Sequence, residues 1–253
     1  MLDSLKWGIF VCNRKLTDLK KIRITRVKWI SRMTESNQTT CKQCGVCCTK
    51  GGPAFHGEDM ALLTKGSIPR SNLITIRKGE FAYNPVAGKV EATESEIIKM
   101  KGSGGEWACC YYDTETQGCT IYESRPMACG VLQCWNPDAS LALVGKNLLT
   151  RLEIVAGDEL LTKLIQDYES SCPMIALNGL HDTLENDSKN CLKNLEEAVN
   201  RDLQFRNRVV VQSAAVLEEE LFLFGRPLFQ LLQPFGLLTS QYKGRLYLKQ
   251  KNG

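Results

Sequence analysis

The sequence has no apolar run approaching the ~20 residues a membrane-spanning helix needs, so a membrane span is excluded. It also lacks internal repeats and low-complexity tracts. Its 43% hydrophobic and 24% charged residues are those of an ordinary globular chain, which excludes a wholly disordered protein. Residues 1–32 contain neither a continuous apolar h-region nor a small-residue cleavage site, so no secretory signal is expected. The glycines of KGSGG at 101–105 are not followed by Gly-Lys-Ser/Thr and do not have dinucleotide-fingerprint spacing; they read as a flexible loop, not a phosphate cradle. Histidine is scarce, with two in 253 residues against twelve cysteines. Nine of those cysteines lie between Cys41 and Cys134, and that cluster is the main clue to function.

Charge is unevenly spread. The formal +4 conceals nine Lys/Arg in residues 1–32 against Asp3 and Asp18, a surplus of +7 that leaves −3 for the remainder. A basic, Trp-containing leader suits nucleic acid, an anionic membrane surface or an organellar presequence. Met33 is an equally good start, because it opens a polar stretch directly before the first cysteine motif. The body without the leader offers no electrostatic case for nucleic acid. The chain divides into a basic N-terminal extension at 1–40, disordered or a misassigned start, a cysteine-cluster metal-binding domain at 41–137, and a mainly helical region at 138–253 packed on it.

The expected fold class is α+β: an irregular, loop-rich cysteine-cluster metal domain with short strands, then a mainly helical half and a C-terminal hairpin. Gly57–Lys65 reads as a short helix whose Glu58 and Asp59 suit the first turn. Leu73–Ile76, Ala82–Tyr83 and Trp107–Tyr112 read as strands. Leu141–Val155 and Asp158–Ser170 carry apolar residues at helical intervals, and Asp187–Ala215 reads as one long helix with a break near Val209–Val211, where β-branched residues crowd. Pro227 suits a first helical turn running through Leu232. Leu237–Tyr242, Lys243-Gly244 and Arg245–Leu248 form a terminal hairpin. The Leu/Phe stripe from Leu221 to Leu232 is core.

Cys41-Lys-Gln-Cys44-Gly-Val-Cys47-Cys48 is a C-x2-C-x2-C-C run. Cysteines two residues apart can turn their sulfurs toward one point, and the amide N–H groups of a tight loop can donate to thiolate and offset its charge. Gly45 lets the backbone bend tightly there. Three ligands at this interval, with a fourth from elsewhere, is the ferredoxin type of cluster loop. Cys109-Cys110, Cys119, Cys129 and Cys134 form a second set, separated by turn residues that let loops bring the sulfurs together. The candidate ligands are Cys41, Cys44, Cys47, Cys48, Cys110, Cys119, Cys129 and Cys134, making two tetrathiolate sites or one cluster with reserve ligands. Whether Cys109 or Cys110 binds stays open. Cys12, Cys172 and Cys191 read as ordinary thiols, and His56 as a satisfied loop histidine. A disulfide framework would need an oxidising compartment, a thioredoxin-like pair needs βαβ text, and c-type haem needs His where Gly45 stands.

These residues resemble the YkgJ-type cysteine-cluster family of zinc- or iron-chelating domains, named for a CxxCxxCC run. The resemblance continues through Gly51-Gly52-Pro53, His56, Asp59, Arg77 to Glu80, Trp107, Cys110 to Asp113, Gly118 to Glu123, Arg125-Pro126, Cys129 and Cys134-Trp135, covering residues 41–136. It implies metal binding in a bacterial cytoplasmic protein, with no assigned reaction. A flagellin lysine methylase is similar in its cysteine run, which implies an alternative: an iron–sulfur-dependent methyltransferase.

Four thiolates suit iron and zinc equally. The consecutive C-x2-C-x2-C favours an iron–sulfur cluster, because structural zinc usually takes two separated pairs; zinc is the alternative. The expected role is structural, electron-transfer or metal-handling, with any protein partner left open. Trp107 and Ile121-Tyr122 are candidates for a dry shell around the sulfurs. Arg125 offsets thiolate charge or sits in a plain turn.

Overall fold

The structure, a computed structural model, describes residues 38–103, 107–212 and 214–251. The basic segment 1–32, Cys12 and Met33 lie outside the described residues, as do Gly104 and Gly105 of the glycine loop. The chain is α+β, built from helices and five two-stranded antiparallel sheets.

In the cysteine-bearing half, helix α1 (Met60–Thr64) follows a 3-10 turn at Gly57–Asp59. Eight short strands come next: β1 (Leu73–Ile76), β2 (Phe81–Asn84), β3 (Lys89–Ala92), β4 (Ile97–Met100), β5 (Gly102–Ser103), β6 (Ala108–Cys109), β7 (Tyr112–Asp113) and β8 (Gly118–Cys119). β1 pairs with β4, Leu73 facing Met100 and Ile76 facing Ile97. β2 pairs with β3, β5 with β6 and β7 with β8. The expected strand over Trp107–Tyr112 is therefore two fragments in two ladders. Trp107 sits at positive φ (59°), a conformation incompatible with a continuing strand.

The cysteine-bearing half ends with α2 (Met127–Val131), and the second half holds α3 (Asp138–Leu141), α4 (Arg151–Ile154), α5 (Glu159–Ser171), α6 (Leu180–Asn186), α7 (Ser188–Gln212), α8 (Ala214–Glu218), α9 (Glu220–Phe224) and α10 (Leu228–Leu232), then strands β9 (Leu237–Tyr242) and β10 (Arg245–Gln250). Asp158 caps α5 as expected, its side chain accepting from the Leu161 N–H at 3.0 Å. A continuous helix over Leu141–Val155 does not form. Gly145 (φ 74°) and Asn147 (φ 46°) turn the chain left-handed, and a capping box between Thr150 and Glu153 then starts α4 afresh. Nor does α7 break at Val209–Val211; it continues to Gln212. The terminal hairpin is as expected, turned by Lys243 and Gly244, both at positive φ.

One hydrophobic core joins Phe55, Leu73, Ile98 and Met100 from the cysteine-bearing half to Ile165, Tyr168, Phe205, Phe222 and Phe224 from the helices. Each such side chain contributes roughly 1.5–3 kcal/mol on burial. Tyr168 packs between Phe205 (5.3 Å between ring centroids) and Phe224 (4.7 Å). A second core gathers Leu195 and Val199 of α7 with Leu228, Leu231, Leu232, Leu237 and Leu248, so the Leu/Phe stripe is largely interior. Buried charge ties the elements together. Arg151 binds Glu96 and Glu169, and Arg77 binds Glu169 and the Cys172 carbonyl.

Candidate metal centre

The Cys41–Cys48 run is a loop closed by a 3-10 turn at Cys48–Lys50. Thr49 N–H donates to the Gly45 carbonyl at 3.0 Å, and its hydroxyl donates to that of Val46 at 2.9 Å. Gln43 N–H points at the Cys41 sulfur at 3.4 Å, the donor arrangement that offsets thiolate charge. Gly45 is buried at φ 69°, and a Cβ there would lie 2.2 Å from the Tyr112 ring and 2.6 Å from the Gln117 carbonyl oxygen. That close approach seats the first run on the β7–β8 hairpin, whose second strand carries Cys119.

The other cysteines are held independently. Cys48 and Cys110 both pack against the main core, and Cys110 N–H donates to the Lys101 carbonyl at 3.0 Å. Cys129 lies in α2, whose start is fixed by Asp59: one carboxylate oxygen accepts from Met127 N–H at 2.7 Å and the other from His56 N–H at 3.0 Å. Asp59 thus serves as a helix-start acid, as expected, and also reaches across to the cysteine helix. Cys134 follows α2, with Gln38 Nε2 at 3.8 Å from its sulfur. Cys41, Cys44 and Cys47 are exposed, and Cys48, Cys110, Cys119, Cys129 and Cys134 are half-buried. Cys172 and Cys191 are buried away from the cluster, in the two cores.

The thiols feel one another across the two sets. Burial pushes the Cys129 thiol up to about 12, and neighbouring Cys47, Cys109, Cys48 and Cys119 add to this. Cys48 also rises to about 12, from burial first and then from Cys47, Cys119 and Cys109. Cys134 is raised by burial and then by Cys44, Cys41 and Cys47. Within the doubled pair, Cys109 and Cys110 act on one another: Cys110 and burial raise the Cys109 thiol, while Cys109 and nearby Lys101 lower that of Cys110.

Among the described residues, no three Cys, His, Asp or Glu side chains stand close enough to hold a metal ion as placed. Every described cysteine is a free thiol. As a donor set, up to eight thiols approaching from both sequence segments suit a thiophilic metal. His56 does not join them: it is buried, and its Nδ1 is hydrogen-bonded to the Lys146 carbonyl at 2.9 Å. Arg125 takes the plain-turn role, folding over the Tyr122 ring (3.7 Å) and donating to the Tyr122 carbonyl. Lys101 beside Cys110 is a cation that sequence reasoning overlooked, because nothing local distinguishes it from a solvated lysine.

Residues 40–173 match a protein family named CxxCxxCC and described as a "putative zinc- or iron-chelating domain". The chain belongs to this family. The CxxCxxCC match extends beyond Cys134 through α3, α4 and α5 to residue 173, so the family unit includes helices that complete the core beneath the cysteines. The family description supports metal binding by the cysteine cluster. No curated protein and no solved structure matches the chain. No helix among the described residues is long and apolar enough to cross a membrane.

Proposed function

We propose that this CxxCxxCC chain binds iron as an iron–sulfur cluster through Cys41, Cys44, Cys47, Cys48, Cys110, Cys119, Cys129 and Cys134, in a structural, electron-transfer or metal-handling role in the cytoplasm. The observation that carries the reading is the mutual influence of thiols far apart in sequence: Cys129 with Cys47, Cys48 and Cys119, and Cys134 with Cys41, Cys44 and Cys47. These neighbour relations link Cys134 to Cys41, Cys44 and Cys47, and link Cys48 and Cys129 to Cys47, Cys119 and the Cys109-Cys110 pair through Cys109. Of the doubled pair Cys110 is taken as the ligand, because the Lys101 cation lies near it and favours its thiolate.

A cluster held this way supplies one-electron transfer or a rigid cross-link between segments. The chain's own part is to offer thiolates, to hold those of Cys48 and Cys110 on the core that Ile121 also packs against, and to donate amide N–H groups such as that of Gln43 to sulfur.

Anaerobic purification with visible absorption, metal analysis and acid-labile sulfide determination tests this reading. A brown protein with iron and sulfide in similar amounts is expected; a colourless zinc protein overturns the iron–sulfur assignment.

A further inference from the structure

A cavity of about 650 Å³ opens beside the cysteine-bearing segments. Its lining includes Lys50, which closes the turn after Cys48, and Ala128, which precedes Cys129. That volume is ordinary for a small-molecule site. Strand β4 explains part of its wall. Ile98 and Met100 point into the core at 0% and 2% exposure, so Ile97 and Lys99 face the other way. Ile76, which pairs with Ile97 across the ladder, extends the same apolar face, and Leu143 and Leu148 also line the cavity.

Lys99 is out of character on that wall. It is half-buried, and its ammonium has no hydrogen bond or ion pair among the described residues. Of the two cavity carboxylates, Glu91 is occupied by Lys89 at 2.9 Å and by Asn84 at 2.7 Å, while Glu94 is exposed. Arg226, a cation that acts on Lys99, is itself paired with Glu80. Burial and Arg226 both disfavour the charged form of Lys99. A half-buried cation without a counter-charge is costly, and an anion brought in by a ligand offsets that cost.

We propose that this cavity binds a small amphipathic carboxylate, its apolar body against Ile76, Ile97 and Leu143 and its carboxylate paired with the Lys99 ammonium. The inference rests on the cavity and holds whichever metal the cysteines take.

Octanoate titrated into the full chain, followed by calorimetry and thermal unfolding, tests this, with 1-octanol as the uncharged probe of equal length. Octanoate is expected to bind saturably and raise the melting temperature, and 1-octanol to bind at least about tenfold more weakly. Lys99→Met is expected to lose that tenfold preference, while exposed Lys65→Met keeps it. If Lys99→Met fails to fold, acetylation of the wild-type chain gives a second reading: octanoate is expected to protect Lys99 and leave Lys65 reactive. Failure of octanoate to bind, equal affinity for 1-octanol, an unchanged preference in Lys99→Met, or unprotected Lys99 would each overturn the proposal.

Discussion

Arg206 and Asp202 form an ion pair wholly sealed from solvent, one helical turn apart on α7, with Nε donating to Oδ1 at 2.7 Å. The guanidinium also donates to Glu220, to the Tyr168 hydroxyl and to the carbonyls of Phe224 and Gly225. The other Asp202 oxygen accepts from Leu228 N–H at 2.8 Å. One buried charge cluster therefore joins α5, α7, α9 and α10.

Removing one member leaves its partner charged and unpaired in the interior. Asp202→Ala is expected to cost roughly 3–5 kcal/mol of stability, read as a lowered midpoint in urea unfolding. Asp167→Ala, which breaks the exposed Lys163–Asp167 pair, is expected to cost less than about 1 kcal/mol. Equal effects from the two substitutions would refute the assignment.

Gly45→Ala forces a side chain into the Tyr112 ring and the Gln117 carbonyl at a left-handed backbone position. Destabilisation of more than about 1 kcal/mol is expected. A lower metal-to-protein ratio should accompany it, since the substitution lifts the first cysteine run from the hairpin carrying Cys119. Metal analysis of the folded fraction checks this.

Serine substitutions distinguish the doubled cysteines. Cys110→Ser and Cys129→Ser are expected to lower metal content, whereas Cys109→Ser and Cys172→Ser should keep it. Metal retention by Cys110→Ser together with loss in Cys109→Ser would reverse the ligand choice within the pair.

Metal uptake should depend on pH in a defined direction. Cys48 and Cys129, with thiols pushed up to about 12, are protonated in the metal-free protein at neutral pH. Binding as thiolate must expel those protons, so affinity rises with pH and uptake acidifies a weakly buffered solution. Zinc titration of the metal-free chain with a pH indicator, repeated between about pH 6 and 8, should show both effects. An affinity flat across that range would exclude Cys48 and Cys129 as ligands.

Much of the local architecture is written in local sequence. β1 follows from the apolar Leu73–Ile76 run, the α5 cap from Asp158, and the last hairpin from Lys243-Gly244 between strand-forming residues. β3 and β4 were harder to see, because Lys89–Ala92 is half polar and β4 is a strand only through its pairing with β1. Arg77, Arg151 and Arg206 look like surface residues in a sequence; their burial depends on carboxylates as distant as Glu169 from Arg77. The candidate ligands stand out by spacing alone. What brings them near one another does not, since Gly45 meets Tyr112 and Asp59 meets Met127 only once the chain has folded.

The two oxygens of Asp59 have a mechanical consequence. One anchors the turn that follows the first cysteine run and the other anchors the start of the Cys129 helix. Displacing either segment pulls on a shared pin, so strain introduced at one cysteine-bearing arm is transmitted to the other through a side chain that is not itself a sulfur donor.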